Sequence, residues 1–260
     1  MATIGILLIT KNADKTLRKC LDSVQNWTDE IVILDSGSTD NTLQIAKEYT
    51  KLVYKKTDWE GFGVQRQVAQ SYLNTDWVFA IDSDEVVTPE LKASILHAIK
   101  KAELDTCFSI NRLTWAFGKY IRHSGWYPDR IVRLYPRTYT EYNDSKVHES
   151  VVIPTNTKVK KLNGDLLHFT MDSLSHYTSK TNLYIKSWAD QREGKKSSSL
   201  GKAISHALFR FFKMYFIKLG FLDGKHGLLL AILSANTVFT RYADLWIRKI
   251  KRNGDDINLP

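Results

Sequence analysis

Residues 76–91 read DWVFAIDSDEVVTPEL. An apolar run over 77–81 stops at Asp82-Ser83-Asp84-Glu85, and Thr88-Pro89 follows as a helix start. The run has the length of a buried strand, and proline suits a first helical turn, where its missing N–H has no intrahelical partner to lose. Three carboxylates in four residues repel one another, and burying any of them unpaired is costly. Such a cluster is either fully solvated or holds a cation.

Reading outward, the first hundred residues alternate in type. IGILLIT, EIVILDS, KLVYKK and WVFAID read as strands, separated by helical segments in DKTLRKCLDSVQ, NTLQIAKEY and GVQRQVAQSYL. Strands alternating with helices predict an α/β fold with a mostly parallel sheet covered on both faces. Past about residue 106 the rhythm changes to CFSINRLTWAFGKYI and DRIVRLYP, with aromatic-rich irregular stretches between them. Helices are expected over 173–188, 203–219 and 226–250, and REGKKSSSLGK reads as a basic linker. This divides the chain into a domain over 1–193 and a helical extension over 194–260.

The net charge of +9 points to an anionic partner: nucleic acid, a membrane surface or a phosphorylated ligand. Residues 201–260 carry ten Lys/Arg against four Asp/Glu, so most of the excess lies in the extension. In KAISHALFRFFKMYFIKLG, Ile204, Leu208, Phe211, Phe212 and Tyr215 form an apolar stripe, with His206, Arg210 and Lys213 on another face. That pattern predicts a helix lying in a membrane interface; a helical hairpin packed on the domain over 1–193, or an oligomer contact, competes with it. No uncharged run reaches the roughly 20 residues that span a bilayer. Because the basic tail is so apolar, nucleic acid is not an expected partner. Two cysteines imply no disulfide framework, and MATIGILLITK reads as a first strand, not a leader.

Ligands of open parallel sheets bind beyond the carboxyl ends of the strands. Three polar clusters fall there: Thr10-Lys11-Asn12, Asp35-Ser36 through Asp40, and Asp82 through Glu85. Asp35 is placed to accept hydrogen bonds from a base or ribose, while Asp40 is equally a helix cap. An EF-hand is excluded for DSDE because Val86 and Val87 stand where an oxygen ligand and glycine are needed. A phosphohydrolase of the D-x-D-x-V type fits AIDSDEV, but its later acidic pair has only Asp255-Asp256 to draw on. The remaining reading is a D-x-D clamp, in which a divalent cation bridges carboxylate and a ligand diphosphate.

ILLITKN, IVILDSGSTDNT and FAIDSDEVVTPEL together resemble the opening of family 2 glycosyltransferases, which have the GT-A fold. SGWYPDRIVRLYPR, VHES and YFIKLGFLDGKHGLLLAILSA further resemble the branch that adds β-glucose to the lipopolysaccharide inner core. The resemblance implies nucleotide contacts by Thr10, Asn12, Asp35, Ser36 and Asp82. It implies a divalent cation, Mg or Mn, at the D-x-D of Asp82 and Asp84, Asp84 being the more direct ligand, with His168 a candidate third ligand or a core histidine. Glu149 is the expected catalytic base and Asp129 its rival. Arg130, Arg133 and Arg137 are candidates to hold the diphosphate, against a solvated strand face. Trp126 and Tyr127 are candidates to stack on an acceptor sugar, against core packing.

The implied reaction moves a hexose, glucose from UDP-glucose, to a lipid-linked acceptor sugar such as an inner-core heptose, with inversion. The implied location is peripheral, on the cytoplasmic face of the bacterial inner membrane. A non-enzymatic basic membrane adaptor is the third class in play.

Overall fold

The computed structural model describes residues 2–252, so Asp255-Asp256 lie outside the described residues. In its first part β1 (Ile4–Thr10), α1 (Leu17–Asp22), β2 (Glu30–Asp35), α2 (Thr42–Tyr49), β3 (Val53–Lys55), α3 (Phe62–Ser71) and β4 (Trp77–Asp82) alternate as expected. Every residue of β1 is buried, as a strand covered on both faces requires. Its side chains divide between two cores. Ile4, Ile6 and Leu8 pack with Leu17 and Leu21 of α1 and Ile45 of α2, whereas Leu7 and Ile9 pack with Ala69 of α3 and Leu73.

Strands β3, β2, β1 and β4 lie side by side in that order, all parallel. Next come β5 (Glu85–Val87), α4 (Pro89–Ile99), β6 (Thr106–Ala116), β7 (Lys119–Tyr120), β8 (Asp129–Pro136) and β9 (Lys158–Met171). Antiparallel β8 continues the sheet beside β4, and β6, β9 and β5 follow. α4 begins where Thr88 and Pro89 predict, with Thr88 Oγ1 accepting Leu91 N–H at 3.3 Å. Strand β9 was not foreseen. Its buried positions, Leu162, Leu166 and Thr170, recur every fourth residue, so the two-residue alternation of a half-buried strand is missing.

The chain forms two compact units, residues 1–113 with 128–169, and 114–127 with 170–260. The boundary expected at 193 is thus displaced. The helix α5 (Leu174–Asp190) packs along α7 (Lys225–Arg252), and Ala116, Phe117 and Ile121 share a core with Met214, Leu230 and Ala231. In this second unit α6 (Leu200–Phe212) ends in a π-helical turn, Lys213–Ile217, and a 3-10 turn follows at Gly220–Asp223. The helix expected over 203–219 is broken there. The buried Asp223 carboxylate explains the stop: it accepts His123 N–H at 2.9 Å and Arg122 N–H at 3.2 Å, tying the turn to residues 122–123. No helix among the described residues is long and apolar enough to cross a membrane.

α3 docks by its N-terminus on the segment before β9. Gly63 N–H donates to Ser145 O at 3.2 Å, and a Cβ on Gly63 would stand 1.8 Å from Asn143 O. Backbone cannot give way as a side-chain tip does. Gly63→Ala is therefore expected to cost about 2 kcal/mol, lowering the melting temperature by roughly 4–8 °C. A thermal melt checks this; an unchanged melting temperature would show that the contact relaxes freely.

Candidate active site

Strand register brings the three polar clusters to one edge. Thr10 pairs with Asp35, and Ile9 with Asp82, so β2, β1 and β4 end side by side. Two strand spacings separate the outer ends, about 10 Å. The expected gathering of Thr10, Asn12, Asp35, Ser36, Asp82 and Asp84 at the carboxyl edge is what the sheet produces.

At the β2 end, Asp35 organises its own turn. Its Oδ1 accepts Gly37 and Ser38 N–H, both at 2.9 Å, and Oδ2 meets the Ser38 hydroxyl. Asn12 has φ of 51° and its Oδ1 accepts Thr39 N–H at 2.8 Å, which fastens the two loops together. Ser36 is buried and donates its N–H to Thr10 O at 2.9 Å. Thr10 Oγ1 is buried and has no hydrogen-bond partner among the described residues, as a group that could meet a ligand would. Asp40 stands one residue before the N-cap of α2, Asn41; its Oδ1 accepts Thr42 N–H at 3.0 Å, and the Thr42 bonds hold its carboxyl below the ordinary range.

At the β4 end the answer to the carboxylate cluster is an ionic network. Asp82 Oδ1 bonds Arg66 Nη2, and Asp82 Oδ2 lies 2.5 Å from Arg133 Nη2. Both arginines are buried. Burial acts to raise the Asp82 carboxyl, but Arg133 and Arg66 overcome it and hold the group well below the ordinary carboxylate range. Glu85 is completely buried. It accepts Asp82 N–H at 2.8 Å and faces Arg133 at 3.4 Å and Arg112 at 3.7 Å. Burial pushes its carboxyl up, against the pull of Arg133.

Arg66 also reaches one of the two candidate bases. Its Nε lies 3.2 Å from Glu149 Oε1, and its guanidinium stacks over Tyr142 at 4.9 Å, leaving Nη1 buried without a partner. The loop bearing Glu149 is closed at its base by the Tyr142–Val151 bridge and by Asn143 N–H donating to Ser150 O at 3.0 Å. Asp129, the rival, is engaged by Arg112 through Nη2 at 2.7 Å and Nε at 2.9 Å. Glu149 is the less encumbered of the two.

Asp84 and His168 come together through β9. Glu85 pairs with His168 across β5 and β9, Phe169 N–H donates to Asp84 O at 2.9 Å, and His168 Nε2 lies 3.3 Å from Asp84 Oδ2. Among the described residues no group of three or more His, Cys, Asp and Glu forms a closed metal cage. One carboxylate and one imidazole at an open edge nonetheless fit a divalent cation that keeps waters and takes its other ligands from substrate phosphates.

Of the expected phosphate ligands, Arg133 joins this network. Arg130 is exposed and donates Nε to Asn111 Oδ1 at 3.2 Å. Arg137 lies at the opposite end of β4, where Nε donates to Thr75 O at 2.8 Å. Trp126 packs against the core of the second unit, and Arg122 covers the Tyr127 ring at 5.7 Å. Arg66, Arg112 and Tyr142 were not anticipated as site residues, and Glu85 was anticipated only as a member of the acidic cluster. The signal for Arg66 is in α3, whose buried face holds Gln65, Arg66 and Gln70 in place of apolar residues.

A sequence profile of Glycosyl transferase family 2 matches residues 5–186. The chain belongs to this family. It is 30% identical over 256 residues to an uncharacterized glycosyltransferase of Rickettsia typhi, covering 94% of this chain and 87% of that protein. Its identity to the lipopolysaccharide core biosynthesis glycosyltransferase LpsC of Rhizobium meliloti is 28%, over 97% of this chain and 96% of LpsC. Among solved structures, TarS of S. aureus in complex with UDP aligns with a TM-score of 0.48 at 14% identity, over 99% of this chain and 94% of TarS. Glucosyl-3-phosphoglycerate synthase of Mycobacterium tuberculosis, in complex with Mg2+ and UDP, aligns with a TM-score of 0.37 at 23% identity, over 44% of each chain.

In this family 2 glycosyltransferase, Asp82→Asn is expected to cost about 3–5 kcal/mol, since it leaves Arg66 and Arg133 buried without their shared carboxylate. The sign of the pH dependence follows from the depressed carboxyl. Asp82 stabilises the fold above the unfolded value of about 3.9 and loses that contribution as pH falls through the folded value. Glu85 has the opposite sign, because its raised carboxyl is destabilising when ionised and is relieved by acid. The gap between the urea midpoints of wild type and Asp82→Asn should therefore be constant above about pH 4 and narrow progressively as pH falls below it toward the folded value. A constant gap throughout would mean that Asp82 is not the ionised partner.

Proposed function

We propose that the protein is an inverting glycosyltransferase that moves glucose from UDP-glucose to a lipid-linked acceptor sugar, a heptose of the lipopolysaccharide inner core. The observation that carries the mechanism is that Asp82 and Glu149 share one guanidinium, Arg66. This fixes a candidate base beside the strand end where the D-x-D opens. Family membership supports glycosyl transfer, and the likeness to LpsC supports a lipopolysaccharide core acceptor. The choice of glucose, UDP and heptose is this reading's own.

In the proposed step the acceptor hydroxyl oxygen forms a bond to the anomeric carbon as the bond to the nucleotide diphosphate breaks. The leaving diphosphate takes the electron pair, and Glu149 takes the hydroxyl proton. Arg66 Nε, 3.2 Å from Glu149, orients that carboxylate. Asp84 and His168 would hold a divalent cation, Mg or Mn, which supplies Lewis-acid stabilisation to the leaving group. Thr10 and the fastened loops of Asn12, Asp35 and Ser36 would receive the nucleoside. The phosphohydrolase alternative needs Asp82 as a free nucleophile, yet both of its oxygens are held by guanidinium groups.

Glu149→Gln keeps the side chain's shape and removes its basicity, so turnover should fall by about 100-fold or more while UDP affinity is retained. A transfer assay beside UDP calorimetry reads both. Turnover near wild type would move the base to Asp129.

The same proposal places the enzyme peripherally at the cytoplasmic face of the bacterial inner membrane. Support comes from the second unit, where Leu208 is 66% exposed, Phe209 59%, Ile217 56%, Leu222 54% and Phe212 52%. Exposed aliphatic and aromatic side chains in such density favour an apolar surface. Of the stripe read from the sequence, Ile204, Leu208 and Phe212 are exposed, whereas Phe211 and Tyr215 stack at 5.6 Å and pack inward. The full chain should float with phosphatidylethanolamine vesicles, and Leu208→Glu with Phe212→Glu should release it. Equal flotation of both would remove this face from the membrane.

A further inference from the structure

In the second unit a cavity of about 310 Å3 opens between α5, α6 and α7, walled by Tyr177, Tyr184, Arg210, Ser234, Thr237 and Arg241. We infer that it is a binding site for a phosphate group carried on an organic molecule. The transferase reading does not use this cleft.

The cleft contains two guanidinium groups and no carboxylate. Arg210 donates Nε to Ser234 Oγ at 2.7 Å, and the hydroxyls of Tyr177 and Thr237 bond each other at 3.0 Å. The Arg241 side chain has no hydrogen bond or ion pair among the described residues, and its Nε is buried without a partner. Burial lowers the Arg241 guanidinium from its ordinary value, and the nearby Arg210 charge adds to the effect, against Tyr177. Like charges held together in a half-buried cleft are costly unless an anion joins them.

Elsewhere on α7 the chain does supply counter-charges. Arg248 is met by Asp190 at 2.7 Å, Glu193 at 2.9 Å and Asp244 at 3.0 Å. Two turns earlier no carboxylate among the described residues meets Arg241, although that side chain is partly buried. Guanidinium forks from two helices, flanked by hydroxyl donors, match the several acceptor oxygens and double charge of a phosphate monoester, and serve a diester less fully. The cavity is also larger than a phosphate group needs, which leaves room for the moiety that carries it.

Two sources share this chemistry, a phospholipid headgroup and a soluble phosphate ester. The test uses the full chain with two probes: calorimetry with glycerol 3-phosphate, and flotation with phosphatidylcholine vesicles with and without phosphatidic acid, whose phosphate is a monoester. Arg241→Gln and Arg210→Gln should each weaken binding of the recognised probe by about ten-fold or more. Lys249→Gln removes an equal charge from an exposed position outside the cleft and should change it by less than about two-fold. Arg241→Lys keeps the charge without the fork and should fall between, which guards against misfolding of the Gln variants, as does a matching melting temperature. Calorimetric binding assigns a soluble ester; flotation that phosphatidic acid strengthens, with no calorimetric binding of glycerol 3-phosphate, assigns a headgroup. The inference is overturned if neither probe binds, if the two Gln variants bind as wild type, or if Lys249→Gln loses as much as they do. Neither readout involves sugar transfer, so its failure leaves the transferase reading untouched.

Discussion

Asp82 lies between two buried guanidinium groups, and the arrangement of the candidate active site depends on that triad. Arg66 comes from α3 and Arg133 from β8, so one carboxylate at the end of β4 locks a helix and an antiparallel strand to the parallel sheet. Removing three charges from water is expensive, and mutual attraction repays it only where the remaining hydrogen-bonding groups are also met. Here Glu85 receives the Asp82 N–H and faces Arg133, and Cys20 Sγ donates to Asp82 O at 3.3 Å. The same triad fixes Glu149 through the second edge of Arg66. A candidate base on a loop is thereby held by a group buried in the core, and the loop needs little rigidity of its own.

The two carboxylates of the D-x-D consequently do different things. Asp82 faces inward and is spent on architecture. Asp84, two residues on, lies in the turn between β4 and β5 and meets His168. In a continuous strand residues two apart share a face, so it is the turn at Ser83-Asp84 that separates the two carboxylates. The question raised by the acidic cluster has two answers: cations already in the protein hold Asp82 and Glu85, and Asp84 is the carboxylate to which the proposed function assigns a cation from outside.

Much of this was legible in the sequence, and the limits are physical. The run 77–81 ending in charge identified β4, and the alternation of strands and helices identified the parallel sheet and its ligand-binding edge. Asp84, His168 and Glu149 were named as candidates by resemblance, and the structure sets Asp84 beside His168 and joins Glu149 to Asp82 through Arg66. The arginines were harder. Arg133 and Arg137 look alike in DRIVRLYPR, but the antiparallel course of β8 sends Arg137 to the far end of β4. Arg66 sits in a polar helix, and its partners lie 16 and 83 residues away, beyond any local pattern. Strand β9 was missed because only every fourth residue is buried, and the division into units was misplaced because residues 114–127 pack with helices far along the chain.

The central claim is that the edge bearing Asp84 takes a nucleoside diphosphate through a divalent cation. Thermal unfolding of the full chain with UDP, in the presence of Mn2+ or of EDTA, tests it most directly. At 100 times its dissociation constant, a ligand adds about 2.7 kcal/mol of stability. The proposal predicts an upward shift with UDP and Mn2+ that EDTA abolishes and Asp84→Ala loses, even though Asp84→Ala alone unfolds near the wild-type temperature. A shift indifferent to both the cation and Asp84, or no shift with UDP at all, would contradict it.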